Sequence, residues 1–327
     1  MSIEDDHIET SEDSIENDRA LARTCFEESA TRREEMQDSL EAWVEQFAER
    51  SNEARASAEL QAWLDVQSRF HDYSYRNALL IKQQCPGATR VAGYNTWVNE
   101  FDRQVQQGES AIWIWAPIIA KQCPECGNSK SSHAGSDCEY AETPPGTWER
   151  GLVGFKPVPV FDVSQTEGEP LPELETTTHG DGMEDGLVRA FLDAAPELGV
   201  RATLVPPKEW THGDAAGVCT DRSAYDCSLL VDVKDVENQA QVASVLAHEY
   251  AHALLHFDVE DPLERAKREV EAESTAYVVS RYFGLDASRS AFYVAAWEGD
   301  PADVICERFE RITTTARTII DAVAVSD

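Results

Sequence analysis

Apolar residues return at helical spacing early in the chain. Leu40, Trp43, Val44 and Phe47 form an i, i+3, i+4, i+7 stripe, and Leu60, Trp63, Leu64 and Gln67 repeat it, which predicts helices from about Gln37 onward. The run from Phe70 to Ile81 reads as a turn leading into another helix, which Pro86-Gly87 stops. Past Val105 the pattern changes. Ala111-Ile112-Trp113-Ile114-Trp115-Ala116 is β-branched and aromatic and follows the turn Gln107-Gly108-Glu109, so a strand is expected there, with residues 153–163 as its returning partner. A helix from Leu187, a strand near Ala202 to Val205, a strand from Cys227 to Val233 and three further helices complete the pattern. Two helix starts share Asp-Pro, at Asp261-Pro262 and Asp300-Pro301, which suits an Asp cap followed by Pro at the first helical position, and Gly284 suits a helix stop. The fold class expected is α+β.

The segments fall into blocks. Residues 1–36 are strongly acidic with few large apolar side chains, an expected disordered start. Residues 37–166 form a first domain of helices and a small antiparallel sheet, carrying an insertion at 121–150. Residues 167–185, rich in acids, Gly, Pro and Thr and without periodicity, read as a linker, and 186–327 form a second domain. A length of 327 residues suits two domains, each with its own core. The charge adds habitat to this picture. With 28 Lys+Arg against 61 Asp+Glu the formal charge is −33, as in proteins adapted to salt concentrations where the Debye length is about 3 Å. The first residues lack the basic-then-apolar pattern of a secretory leader and no long apolar run occurs, so a cytoplasmic protein without a membrane partner is expected.

The sharpest chemical signal is His248-Glu249-Tyr250-Ala251-His252, an HExxH string within a helical run. On a helix, i and i+4 share a face, so both imidazoles reach one Zn2+ while Glu249 faces its water as general base, the chemistry of peptide hydrolysis. A third ligand is needed, and Glu269 fits, with Glu273 on the same helix face hydrogen-bonding a ligating His from behind. Glu271 points about 160° away and reads as a solvated charge, and His256, one turn beyond His252, reads as packing or support rather than a third ligand. The segment from Gly217 to Val231 could supply an edge strand that aligns a peptide substrate. No residue identifies the oxyanion donor; Arg222, Tyr225, Tyr250 and Tyr293 are the candidates, and each also suits a structural role. A second, structural Zn2+ is expected in the insertion, where Cys123, Cys126, His133 and Cys138 have the spacing of a zinc knuckle; unpaired thiols in a flexible loop are the alternative.

From Leu60 to Gln122 six basic residues meet five acidic ones, in a chain otherwise dominated by acids, and nine aromatics gather there. Aromatic faces with sparse cations make a platform for single-stranded DNA; the same rings also suit a packed core.

The motifs then take on a family look. Tyr73-Ser74-Tyr75-Arg76-Asn77, Gly93-Tyr94-Asn95-Thr96-Trp97, Gly108-Glu109 to Ile112, Ala116-Pro117 and Val160-Phe161-Asp162-Val163-Ser164-Gln165-Thr166 resemble the N-terminal domain of ArdC-type antirestriction proteins. The second half, through His248-Glu249-x-x-His252-Ala-Leu-Leu-His256 and Glu269-x-x-Ala272-Glu273-x-x-Ala276, resembles the ImmA/IrrE-type zinc metallopeptidases, with a zincin-like, gluzincin-type site. The resemblance is to proteins of haloarchaeal type, while the composition by itself also suits an acidic protein of ordinary cytosol. The resemblance implies single-stranded DNA binding in the first domain, with Tyr73, Tyr75, Arg76, Asn77, Tyr94, Trp97, Trp113 and Trp115 as contact residues, and cleavage of a protein or peptide substrate in the second. The chain departs from the family in carrying Gln106-Gln107 before the Gly-Glu turn and in its Cys/His insertion. Two other readings remain: a nonenzymatic single-stranded DNA-binding antirestriction protein with a structural zinc, and a repressor-cleaving regulatory protease without DNA contact.

Overall fold

A computed structural model of the chain describes residues 24–26, 28–51, 54–138, 147–171, 183–222, 229–257, 264–287 and 294–325. Three helices come first: α1 (Arg32–Glu49), α2 (Ala54–Arg69) and α3 (Tyr75–Gln84). They bury the stripes seen in the sequence, Leu40, Val44 and Phe47 on α1 and Leu60, Trp63 and Leu64 on α2. Helix α1 begins ahead of Gln37, because Met36 is also buried and Arg32 Nε anchors the first turn to the Phe26 carbonyl. Most of the acidic start expected to be disordered lies outside the described residues. At α3 the Ser74 hydroxyl accepts from the Asn77 amide and caps the helix.

The sheet of this half contains β1 (Val91–Ala92), β3 (Ile112–Lys121) and β4 (Arg150–Asp162) in the order β1-β4-β3, all antiparallel. Between them lie α4 (Tyr94–Glu100), β2 (Arg103–Val105) and the short α5 (Lys130–Ala134). The second edge of β3 is closed by side chains. Asn77 exchanges two amide hydrogen bonds with the Trp115 backbone, and Gln84 does the same with Trp113, so α3 substitutes for a strand there. The expected linker starts later than residue 167, since β5 (Thr166–Gly168) pairs with β2; residues 172–182 lie outside the described ones.

After α6 (Met183–Ala194), a second sheet joins β6 (Val200–Val205), β7 (Gly217–Arg222) and β8 (Leu229–Lys234) in the order β6-β8-β7, with β6 parallel and β7 antiparallel to β8. Helices α7 (Gln239–His256), α8 (Arg265–Tyr282) and α9 (Ala302–Val325) follow. Gly284, at φ +75°, ends α8 as expected. The Asp261-Pro262 start falls outside the described residues. At Asp300-Pro301 the expected helix start is present, α9 beginning at Ala302 with the Ile305 amide donating to the Pro301 carbonyl, while the Asp300 carboxylate is engaged by Lys267 and Arg308.

The packing corrects the expectation of two separate cores. Phe309 of α9 is surrounded by Trp43 and Phe47 of α1, Trp63 of α2 and Tyr75 of α3, at centroid distances of 4.6 to 5.9 Å, and one hydrophobic cluster runs from Phe26 to Val323. Helix α2 also meets α8, where the Tyr277 hydroxyl donates to Asp65 at 2.7 Å. The aromatic wealth of the first half is thus partly the wall of a core completed by the second. Among the described residues, no helix is long and apolar enough to cross a membrane.

Candidate metal centre

The Asn238 side chain caps helix α7 by accepting from the Gln241 amide, and Leu246, Ala247, Tyr250 and Ala251 are buried against the core. That leaves His248 and His252 on the remaining face, their Nε2 atoms 3.0 Å apart. Helix α8 packs beside α7 and brings Glu269 Oε2 to 3.6 Å from His248 Nε2 and 3.4 Å from His252 Nε2. One donor atom from each of His248, His252 and Glu269 lies within 4.8 Å of the other two, so two imidazoles and a carboxylate converge as one divalent cation would require. Glu273 Oε2 is 3.2 Å from His248 Nδ1, behind the ring, where it fixes which nitrogen faces forward.

Electrostatics follow this crowding. Burial opposes charge on His248, yet the Glu269 and Glu273 carboxylates outweigh it and raise the imidazole to about 10. Hydrogen bonds from His248 and then His252 hold the Glu269 carboxyl well below the usual carboxylate range against the opposing effect of burial. Glu249 is buried, which pushes its carboxyl up against the lowering influence of His248 and His252. It also accepts from the Cys219 backbone of β7. A Cβ on Gly217 would lie 2.7 Å from Glu249 Oε1, so glycine is what lets β7 close over this carboxylate. Together β7, α7 and α8 enclose a groove of about 1140 Å3 with His248, Glu249, His252 and Glu269 in its wall. Strand β7 borders the groove as the outer strand of its sheet.

One expectation around the site changes. Glu271 is fully buried rather than solvated: it sits between Arg308 and Arg311 of α9, because that helix covers the side of α8 turned away from the histidines. The network continues to Asp300, which binds Arg308 at 2.9 Å and Lys267 at 2.6 Å. No sequence pattern announces that pairing across the 37 residues from Glu271 to Arg308. His256 supports rather than joins the trio, its Nε2 3.1 Å from the Arg268 carbonyl and 3.5 Å from Glu271, and burial with nearby cationic groups pushes it down to about 3. Among the oxyanion donors, Tyr250 is committed to the Phe191 carbonyl at 2.8 Å. Tyr225 and Tyr293 lie outside the described residues, and the Arg222 side chain is not described.

The residues expected to meet DNA are mostly occupied. Tyr75 and Trp97 are 2% and 1% exposed, and the Trp97 indole donates to the Phe161 carbonyl, so neither ring offers a face for stacking. Asn77 binds the β3 backbone. The Arg32 guanidinium covers Trp113 at 3.5 Å, Arg33 lies 5.5 Å from the Trp115 ring, and Tyr73 packs on Phe70. Tyr94 and Arg76 remain exposed. Cys123, Cys126, His133 and Cys138 do come together, at the tip of the β3–β4 hairpin.

No family model matches the chain. An uncharacterized protein of Bacillus anthracis is 25% identical over 260 residues, covering 72% of this chain and 42% of that protein, so the chain spans about two fifths of that relative's length. Among solved structures, the antirestriction ArdC protein of plasmid R388 is similar in its Mn(II)-bound form, at 16% identity and TM-score 0.48 over 89% of this chain and 97% of that one. Its metal-free form gives 17% identity and TM-score 0.43 over 77% and 86%.

Proposed function

We propose that the protein is a metal-dependent peptidase of the ArdC and ImmA/IrrE kind, whose groove hydrolyses a peptide bond of a protein substrate. The observation that carries this reading is the convergence of His248, His252 and Glu269 beside the buried carboxylate of Glu249. Two imidazoles and one carboxylate suit Zn2+, with His248, His252 and Glu269 as its holders. A bound divalent cation supplies a Lewis acid for the scissile carbonyl and acidifies a water. The rest is done by the chain. Glu249, raised by burial, takes the proton of the attacking water and returns it to the leaving amine; Glu273 keeps His248 oriented; β7 offers backbone groups along which an extended peptide aligns.

Single-stranded DNA is the second partner we propose, docking on the outward face of the β3–β4 hairpin rather than on the buried rings. Support comes from the exposed Ile119, Leu152 and Phe155, flanked by Lys121 opposite Arg150. Glu249→Gln tests both parts. Hydrolysis of an unfolded protein should fall by on the order of 10² to 10⁴ while metal content and oligonucleotide binding stay unchanged. Undiminished hydrolysis in that variant would reject the peptidase reading, and a nonenzymatic DNA-binding protein would remain if the wild type hydrolyses nothing.

A further inference from the structure

The tip of the β3–β4 hairpin lacks what ordinarily orders a chain. Between Cys123 and Cys138 only the Cys123 side chain is buried, and α5 is five residues long with none of them buried. An isolated helix of that length does not persist in water. Yet the segment is regular. The Cys123 amide donates to the Asn128 carbonyl and the Gly127 amide returns to the Cys123 carbonyl, both at 2.8 Å, with Gly127 in the left-handed region at φ +70°. Ser129 caps α5 through the Ser132 amide, and α5 presents His133 to this turn. His133 Nδ1 lies 3.4 Å from Cys126 Sγ, and the ring meets the buried Trp148 edge-on at 5.1 Å. One donor atom from each of Cys123, Cys126, His133 and Cys138 lies within 4.8 Å of the other three.

We infer that these four residues hold a structural Zn2+ that folds the hairpin tip and is independent of the groove. Zn–S bonds of about 2.3 Å place tetrahedral sulfurs about 3.8 Å apart, so the four atoms need only a small contraction to close on the ion. Three thiolates and an imidazole select a soft cation such as Zn2+ over Mg2+ or Mn2+. Four protein ligands fill the tetrahedron and leave no position for a substrate, which makes the site one of folding rather than catalysis. The ion ties the exit of β3, through Cys123, to the entry of β4, through His133 and Trp148, and so sets the end of the face that carries Ile119 and Leu152.

The test uses the full chain with His248→Ala and His252→Ala, which removes the groove's imidazoles and leaves the hairpin untouched. Loaded with Co2+ under reducing conditions, it should bind about one equivalent and develop the near-ultraviolet thiolate-to-cobalt charge-transfer band. Cys126→Ser with Cys138→Ser should abolish that band. In the same His variant loaded with Zn2+, chelation should strip amide protection from Cys123, Gly127 and His133 while α7 keeps its own. No thiolate band with the cysteines reduced, a band that survives the Cys substitutions, or tip amides equally protected before and after chelation would each overturn the inference.

Discussion

Asp162 condenses the logic of the smallest scale. Its buried carboxylate accepts from the amides of Thr89, Arg90 and Ser164 and from the Ser164 hydroxyl, while Gln165 reaches back to the Asp162 amide. Burial alone would raise this carboxyl, but the Ser164, Thr89 and Arg90 donors outweigh it and hold it below its ordinary value. A carboxylate depressed in the fold contributes stability that is complete above its unfolded pKa of about 3.9 and fades as the pH falls through the lower folded value. Asp162→Asn should therefore cost about 2 kcal/mol in urea unfolding at pH 7 and progressively less toward pH 3; an equal cost at both would contradict this role. The sequence presents Asp162 as part of a resemblance, and the local Asp-x-Ser-Gln spacing makes its cap readable. Its bonds to Thr89 and Arg90, more than 70 residues upstream, leave no local trace. The trio that converges in the groove lies at the other extreme: the approach of His248 and His252 follows from helical spacing alone, and Glu269 comes from the helix that follows.

At the scale of elements, α8 serves two neighbours at once. One face gives Glu269 and Glu273 to the histidines of α7, and the opposite side buries Glu271 under α9. Helical geometry correctly separates Glu271 from the metal face, but it cannot tell that another helix covers the far side. Arg308 is the keystone there, reaching Glu271, Asp300 and Glu264. Removing it leaves a fully buried carboxylate without its nearest cation. Arg308→Ala should destabilise the chain by about 3–5 kcal/mol in chemical denaturation, and a loss within 1 kcal/mol would mean the network is not stabilising. The short elements were the ones hidden from sequence patterning. Helix α4 spans seven residues, and the β2–β5 pair three on each side, too few for a period to declare itself; Glu167-Gly168 therefore reads as linker until Arg103–Val105 lies beside it.

Across the whole molecule, the aromatic residues and the charge divide the work of cohesion and solubility. Rings from α1, α2 and α3 close around Phe309 of α9, so the first helices and the last depend on each other. A pattern of apolar stripes shows which face of each helix is buried but not which partner buries it, and this is why the sequence reads as two cores where the fold has one. The formal charge of −33 acts against that compactness by self-repulsion. We propose that the chain is adapted to high salt. Thermal unfolding should then move upward between low and multimolar KCl, and a higher melting temperature in low salt would contradict the adaptation.

If the groove holds a metal, the metal content per chain shows it. Zinc and manganese would be counted in the purified native protein and in His248→Ala, both folded and in high salt. About two equivalents are expected in the native protein, one in the groove and one in the hairpin tip, falling to about one in the variant. A content unchanged by His248→Ala would mean that His248 holds no metal, and the peptidase reading would fall with it.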